Sequence, residues 1–144
     1  MDDVKRIIKL SGVPYEGSGV ECFMSKLEEI SKSHPLDPKA RILDNCSILC
    51  FPSNGNTKIH ISSMDSLIRG SGTIALNKIC DLSDECDVEL SLLAYGYSDT
   101  PTEKLVEWYS RFGFVKTGIG NNKDGWRMVR TKKSIRLKGF DRLH

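Results

Sequence analysis

The stretch Arg69-Gly70-Ser71-Gly72-Thr73 lies between a strand-like run and a helix-like run, and it is the most informative part of the chain. The preceding residues 58–64 (KIHISSM) are β-branched and roughly alternating, which predicts a strand. The following residues 73–82 carry apolar side chains near helical spacing, which predicts a helix. A glycine-rich turn from a strand into a helix directs backbone N–H groups and the positive end of the helix dipole toward a bound phosphate. The stretch therefore indicates a nucleotide-like or coenzyme-like ligand, and a simple helix cap is the alternative.

Length and composition describe an ordinary globular protein. The chain has 144 residues, of which 39% are hydrophobic and 28% charged, and its net charge is +2. That charge is too small to indicate a nucleic-acid partner by itself. No apolar run approaches the roughly 18 residues that cross a bilayer, and the N-terminus lacks a signal-peptide pattern. We therefore expect one cytoplasmic domain over residues 1–144, with no membrane partner.

The cysteines and histidines suggest neither a disulfide framework nor a metal site. The five cysteines are odd in number, are scattered, and form no Cys-x-x-Cys pair. The three histidines complete no zinc-ligand pattern. We expect reduced, mostly structural thiols in a cytoplasm, and no metal. The cysteines are Cys22, Cys46, Cys50, Cys80 and Cys86, and the histidines are His34, His60 and His144.

Periodicity and turn residues predict the order of the remaining elements. The segment Thr100-Pro101-Thr102-Glu103 supplies an N-cap, a proline at the first helical position and the glutamate of a capping box. The acidic residues 84–87 are predicted to break the chain after the glycine-loop helix. The order predicts a mixed sheet with helices packed on both faces. The predicted elements are helices over 3–10 and 21–33, a hairpin of strands 46–51 and 58–64, a helix over 73–82, a buried strand over 88–97, a helix ended by Gly113, and a hairpin of strands 114–117 and 126–130.

The segment Leu105–Val115 (LVEWYSRFGFV) makes the pattern specific. A helix ending in Tyr-x-x-x-Gly-Phe, followed by a short strand and a terminal Met-Val-Arg strand, resembles the C-terminal half of the GNAT superfamily of N-acetyltransferases. The run from Arg69 to Gly72 then resembles that family's coenzyme A signature, Gln/Arg-x-x-Gly-x-Gly/Ala. Ile74 stands where the signature has Gly or Ala. The two motifs occur in the right order, and their separation fits an intervening helix and strand.

The resemblance covers about residues 46–130 and looks closest to compact stand-alone members carried by phages and plasmids. It leaves a helical N-terminal part, residues 1–45, and a basic tail, residues 131–144. The fold that it implies is a GNAT-like α/β (α+β) fold. This fold has a mixed, mostly antiparallel twisted sheet, helices on both faces and a splayed central strand pair.

The resemblance also implies acetyl-CoA as the cosubstrate. In the family, the pantetheine arm pairs with an exposed strand edge, and that role falls to the backbone around Ser63 and Met64. The diphosphate would accept hydrogen bonds from backbone amides of the glycine loop, with a charge added by Arg69. The implied diphosphate-binding residues are Arg69, Gly70, Ser71, Gly72, Thr73 and Ile74.

Tyr109 matches the position of the family's tyrosine acid, which protonates the leaving thiolate. A half-buried tyrosine that anchors the helix is the alternative. A backbone amide near Met64 would stabilise the oxyanion. The general base stays open among His60, Asp65, Glu89 and a chain of waters. Simple strand alternation places His60, Ser62 and Met64 on one face of their strand, and Ile59, Ile61 and Ser63 on the other.

The leading hypothesis is direct acetylation of a primary amine on a small molecule or a protein. One alternative is a catalytically inactive GNAT-fold binding or inhibitory protein, which predicts a closed cleft with paired central strands. Another is acylation of a nucleic-acid-linked amine, suggested by the basic residues from Arg127 to His144. Because family members are commonly dimers, a homodimer is a further expectation.

Overall fold

A computed structural model describes residues 19–53, 55–96 and 100–135, which form three helices and seven strands. The predicted helix over residues 3–10 and the end of the basic tail lie outside the described residues. None of the described helices is both long enough and apolar enough to cross a membrane. The elements are α1 (Gly19–Ile30), β1 (Lys32–Ser33), β2 (Arg41–Leu43), β3 (Cys46–Pro52), β4 (Lys58–Ser66), α2 (Ser71–Cys86), β5 (Glu89–Ala94), α3 (Thr102–Ser110), β6 (Val115–Asn121) and β7 (Gly125–Arg130).

The seven strands form one mixed sheet in the order β1-β2-β3-β4-β5-β7-β6. Every pairing is antiparallel except that of β4 with β5, which joins residues 58–61 to residues 89–92. Beyond Ile61, β4 continues along β3 to Ser66, whereas β5 continues along β7 to Ala94. The two central strands therefore separate. The predicted mixed, mostly antiparallel sheet and its splayed central strand pair are confirmed.

A β-bulge lies where the central strands begin to separate. Leu49 of β3 is opposite Ser63, but the next residue, Cys50, is opposite Ile61, so Ser62 is the extra residue of β4. An extra residue reverses the alternation of side chains beyond it. Met64, which is opposite the buried Ile48, therefore joins the face of Ile61. The predicted grouping of Met64 with His60, and of Ser63 with Ile61, is wrong for this reason.

The core lies on one face of the sheet. On the opposite face, His60, Ser91 and Arg127 are partly or fully exposed. The buried apolar side chains of α1 and α2 belong to one core cluster, and partly buried side chains of α3 pack against it. The core includes Phe23 and Leu27 of α1, Ile59 and Ile61 of β4, Leu76 and Ile79 of α2, Leu90 and Leu92 of β5, Phe114, and Met128 of β7.

The N-terminal part is not wholly helical. The helix predicted over residues 21–33 spans Gly19–Ile30, and β1 and β2 follow it before residue 45. Arg41 stabilises this chain reversal, because its guanidinium donates to the Ser31 hydroxyl at 2.8 Å and to the Ser31 carbonyl at 2.9 Å. These hydrogen bonds join residues ten positions apart that only the folded chain brings together. Helical spacing in the sequence therefore does not predict them.

Helix α2 continues through the predicted acidic break. It ends at Cys86, and Asp87 follows in the left-handed conformation with φ of 52°. Cys86 forms a disulfide with Cys22 of α1, which corrects the expectation that all thiols are reduced. The two Cα atoms lie 5.7 Å apart, within the range for disulfides, because α1 and α2 pack side by side. The free cysteines Cys46, Cys50 and Cys80 are buried, as structural thiols are.

The predicted start of the third helix is also shifted. Pro101, not Thr100, is the N-cap of α3, and no side chain caps the helix. The hydroxyl of Thr102 instead accepts a hydrogen bond from the backbone N–H of Gly96 at 3.0 Å, which ties the start of α3 to the end of β5. The predicted cap at Thr100 is therefore not formed, and Thr102 instead links α3 to the end of β5.

Arg130 is a structural residue, although the sequence analysis grouped it with the basic residues from Arg127 to His144. Its guanidinium is buried and contacts both carboxylate oxygens of Asp84, at 2.7 and 3.1 Å. It also donates to the Ser83 hydroxyl at 2.8 Å and to the Phe112 carbonyl at 2.7 Å. These bonds join β7 to the end of α2 and to the segment after α3. Asp84 keeps the pKa of Arg130 above its usual value against the opposing effect of burial.

We expect Asp84→Ala to destabilise the protein by about 3 kcal/mol, because it leaves the buried Arg130 guanidinium without its counter-ion. Urea unfolding measures the change. Glu28→Ala, which removes an exposed carboxylate of α1, is the control and should change stability by less than about 0.5 kcal/mol. Equal losses in the two variants would contradict the structural role of this ion pair.

Candidate functional site

A cavity of about 600 Å³ opens where β4 and β5 separate. The end of β4 lines it with Ser63 and Met64, the first turn of α2 with Gly72, and α3 with Trp108 and Tyr109. Its volume is in the range of pockets that hold small ligands. The structure thus brings one predicted catalytic residue and three predicted coenzyme-binding residues to the same cavity.

The wall of the cavity formed by β4 is an open strand edge. Residues 63–66 pair with β3 on one side, whereas pairing with β5 ends at Ile61. A strand with a free edge presents unpaired N–H and C=O groups to an extended ligand, as in β-strand addition. The backbone around Ser63 and Met64 therefore lies where an amide-bearing chain could pair with it.

The glycine turn starts α2 in a conformation that suits glycine. Gly70 has φ of 88° and ψ of −13°, and no side chain caps the helix. The N–H groups of a first helical turn have no partner within the helix. The Ser71 N–H bonds the Ile68 carbonyl, and the Ser71 hydroxyl donates to the Asn45 carbonyl at 2.8 Å. Ser71 thus fixes the turn to the hairpin between β2 and β3.

Gly72 is in close contact with the cavity walls. A Cβ atom on this residue would lie 2.7 Å from the Ser66 hydroxyl and 3.8 Å from the Trp108 ring. Ser66 and Trp108 both line the cavity. Any longer side chain at position 72 would therefore enter the cavity itself.

The other residues of the glycine loop lie outside the cavity wall. Arg69, Thr73 and Ile74 are exposed, and the Ile74 side chain retains 53% of its accessible surface. Ile74 is not among the residues that line the cavity. The branched side chain that departs from the family signature therefore does not occupy the cavity.

Tyr109 is half-buried and reaches the cavity from α3. Its ring packs against Trp108, with centroids 4.9 Å apart, and against Phe114 at 5.7 Å. Phe114 is almost fully buried, so these contacts orient the phenol by fixing its ring. The arrangement is compatible both with an acid and with the anchoring alternative.

Of the three side chains considered as a base, only Asp65 lines the cavity. Glu89 lies at the opposite end of β5, opposite Lys58. His60 shares a hydrogen bond with the Ser91 hydroxyl at 2.9 Å and does not line the cavity. Burial, helped by the charge of Arg127, lowers the pKa of His60 below its usual value.

Cys46 is a cavity residue that the sequence reasoning missed. Its side chain is fully buried, and burial raises the pKa of its thiol to about 11. Strand alternation predicts that Cys46 is buried. It does not predict that Cys46 lines the cavity, which follows from the pairing of β3 with β4 next to the open edge. Among the described residues, no group of three or more His, Cys, Asp or Glu side chains is arranged to hold a metal ion.

No protein-family model and no curated protein matches the chain. Among solved structures, the chain is similar to the anti-CRISPR protein AcrVA5, with 21% identity and a TM-score of 0.48 over 60% of this chain and 90% of that one. It is also similar to a nourseothricin acetyltransferase, with 17% identity and a TM-score of 0.44 over 68% of each chain. Neither likeness identifies an activity of this chain.

The lowered pKa of His60 predicts a stability that depends on pH. The fold favours the neutral imidazole, so the unfolded chain binds more protons below its pKa of about 6.5. The contribution of His60 is therefore present above that pH and is lost as the pH falls toward the folded-state pKa. Urea unfolding at pH 7.5 and 5.0 should show a smaller loss of stability in His60→Gln than in the wild type. An equal loss would contradict this assignment, since both proteins retain His34 and His144.

Proposed function

We propose that this chain is an acetyl-CoA-dependent N-acetyltransferase that transfers the acetyl group directly to a primary amine. The observation that carries the proposal is the cavity between β4 and β5. An open strand edge, a glycine turn without a side-chain cap and Tyr109 converge on it. The strand edge and the glycine turn support coenzyme binding, and Tyr109 supports proton transfer.

The first requirement is to bind a long coenzyme in an extended form. The pantetheine arm carries two amide groups, which suit pairing with the free edge of β4 around Ser63 and Met64. The diphosphate is an anion, which suits the N-terminus of the 16-residue helix α2 after Gly70. Arg69, exposed beside this turn, would add a positive charge.

The second requirement is to move protons during the transfer. The amine nitrogen forms a bond to the thioester carbonyl carbon, and the C–S bond breaks. The nitrogen loses a proton, and the departing thiolate gains one. A phenol is a suitable donor to a thiolate, and Tyr109 is the candidate at the cavity. Water would receive the amine proton.

Direct transfer is favoured over a covalent acetyl-enzyme by the state of Cys46. This cysteine contributes a thiol to the cavity wall, but the thiol, with a pKa of about 11, stays protonated at neutral pH. Thiolates, not thiols, attack thioesters. A ternary complex of protein, coenzyme and amine is therefore the simpler route.

The alternative of an inactive binding protein predicted paired central strands and a closed cleft. The separation of β4 from β5 beyond Ile61 counts against it. The nucleic-acid alternative loses one of its basic residues, because Arg130 is buried in an ion pair with Asp84. The remaining tail beyond residue 135 lies outside the described residues.

Gly72→Glu should abolish detectable binding of acetyl-CoA, because the new carboxylate would enter the cavity and repel the anionic coenzyme. Isothermal titration calorimetry measures the binding. Asn77→Glu adds the same charge at an exposed position of α2 and should bind like the wild type. No heat from the wild type at millimolar acetyl-CoA would refute the proposed function.

Tyr109→Phe should lower turnover by about 100-fold while changing coenzyme affinity little, because it removes the proton donor and keeps the ring contacts. Turnover is measured as free thiol release with an acceptor from a panel of amines, with hydrolysis as the background. Tyr95→Phe removes a hydroxyl from the β5 side of the same cavity and is the matched control. An unchanged rate in Tyr109→Phe would leave this tyrosine only its anchoring role.

A further inference from the structure

Asp65 supplies the cavity's single residue that is charged at neutral pH, within the part of the chain that the structure describes. Its other polar lining comes from serines, tyrosines, Trp108 and the protonated Cys46. Among the described residues, no lysine or arginine lines the cavity. The cavity therefore has a negative bias.

Among the described residues, the Asp65 carboxylate has no counter-ion. It is exposed and makes no hydrogen bond or ion pair with any residue of the described ranges. Asp65 is opposite Ser47 in the β3–β4 ladder, beyond the bulge at Ser62. The bulge places Asp65 on the face of β4 opposite to Met64 and Ser66. The charge therefore lies on the face away from Gly72 and the helix N-terminus, where the coenzyme diphosphate is proposed to bind.

The remaining walls suit an alkyl chain. Leu92, Leu93 and Leu105 supply apolar surface, and Tyr95 and Trp108 supply aromatic rings that attract cations. The cavity of about 600 Å³ must hold the end of the coenzyme as well as the acceptor. The acceptor that fits is therefore small.

From these features we propose that the acceptor is a small aliphatic amine with a second positive charge, and that Asp65 binds the ammonium group that is not acetylated. This inference rests on the proposed function, because it names the substrate class of the same cavity. A second ammonium group on the acceptor forms an ion pair with Asp65, whereas an uncharged far end forms none and a carboxylate at that end is repelled. Specificity for the acceptor is thus assigned to Asp65, which lies on β4, the strand whose free edge is proposed to bind the coenzyme.

Three acceptors of equal chain length test the proposal: 1,4-diaminobutane, butylamine and 4-aminobutanoate. They differ in the charge of the far end, which is positive, absent and negative. We expect kcat/KM for the diamine to exceed that for butylamine at least about fivefold, with 4-aminobutanoate the poorest. Free thiol release at saturating acetyl-CoA gives the three values.

Two variants locate the preference at Asp65. In Asp65→Asn, the three values should agree within about twofold, because the charge is gone and the shape is kept. In Asp65→Lys, 4-aminobutanoate should become the best of the three. Asp81→Asn removes an exposed carboxylate outside the cavity wall and should keep the wild-type order. A wild-type order that survives Asp65→Asn would overturn the proposal.

The outcomes separate this inference from the proposed function. If acetyl-CoA does not bind in calorimetry, the proposed function fails and the inference fails with it. If acetyl-CoA binds and the amines react without preference for the diamine, only the inference fails. It is also overturned if acetyl-CoA binds and none of the three amines is acetylated above the hydrolysis rate.

Discussion

The candidate site depends on the point at which β4 and β5 stop pairing. Their parallel ladder ends at Ile61 and Leu92, and from there each strand follows a different neighbour. The bulge at Ser62 lies at this point, and bulges bend a strand and increase its twist. The cavity, the free edge of β4 and the position of Asp65 all follow from this separation.

The rest of the fold positions the other walls around that opening. Ser71 ties the start of α2 to the carbonyl of Asn45, so Gly72 faces the open edge of β4. The ring contacts of Tyr109 with Trp108 and Phe114 set α3 against the other side. At the far end of α2, Arg130 binds Asp84 and the Phe112 carbonyl, which joins three elements through one buried guanidinium. A rigid frame of this kind allows the cavity to stay open between two strands.

Local patterns in the sequence predicted most of the fold. Alternation and turn residues identified the β3–β4 hairpin, and helical spacing after Gly70 identified α2. The positions that alternation could not predict follow from long-range contacts. The face of Met64 depends on the bulge, and the disulfide of Cys22 depends on packing between α1 and α2. The burial of Arg130 depends on Asp84, which is 46 residues away.

The residues of the candidate site were also predicted only in part from the sequence. Gly72 and Tyr109 were predicted by motif, and the structure places both at the cavity. Cys46 belongs to no sequence motif. Asp65 and Glu89 were both candidate carboxylates in the sequence, and only Asp65 lines the cavity. Ile74, which departs from the family signature, is exposed and away from the cavity wall, a distinction that sequence alone could not make.

Hydrogen–deuterium exchange with and without coenzyme A can locate coenzyme binding at the separated strands. If the coenzyme binds along the open edge of β4 and at the N-terminus of α2, the amides of residues 62–64 and 70–74 should exchange more slowly in its presence. Amides of β1 and β6, at the two edges of the sheet, should be unaffected. Unchanged exchange in both segments at saturating coenzyme A, or protection confined to another part of the sheet, would contradict coenzyme binding at this site.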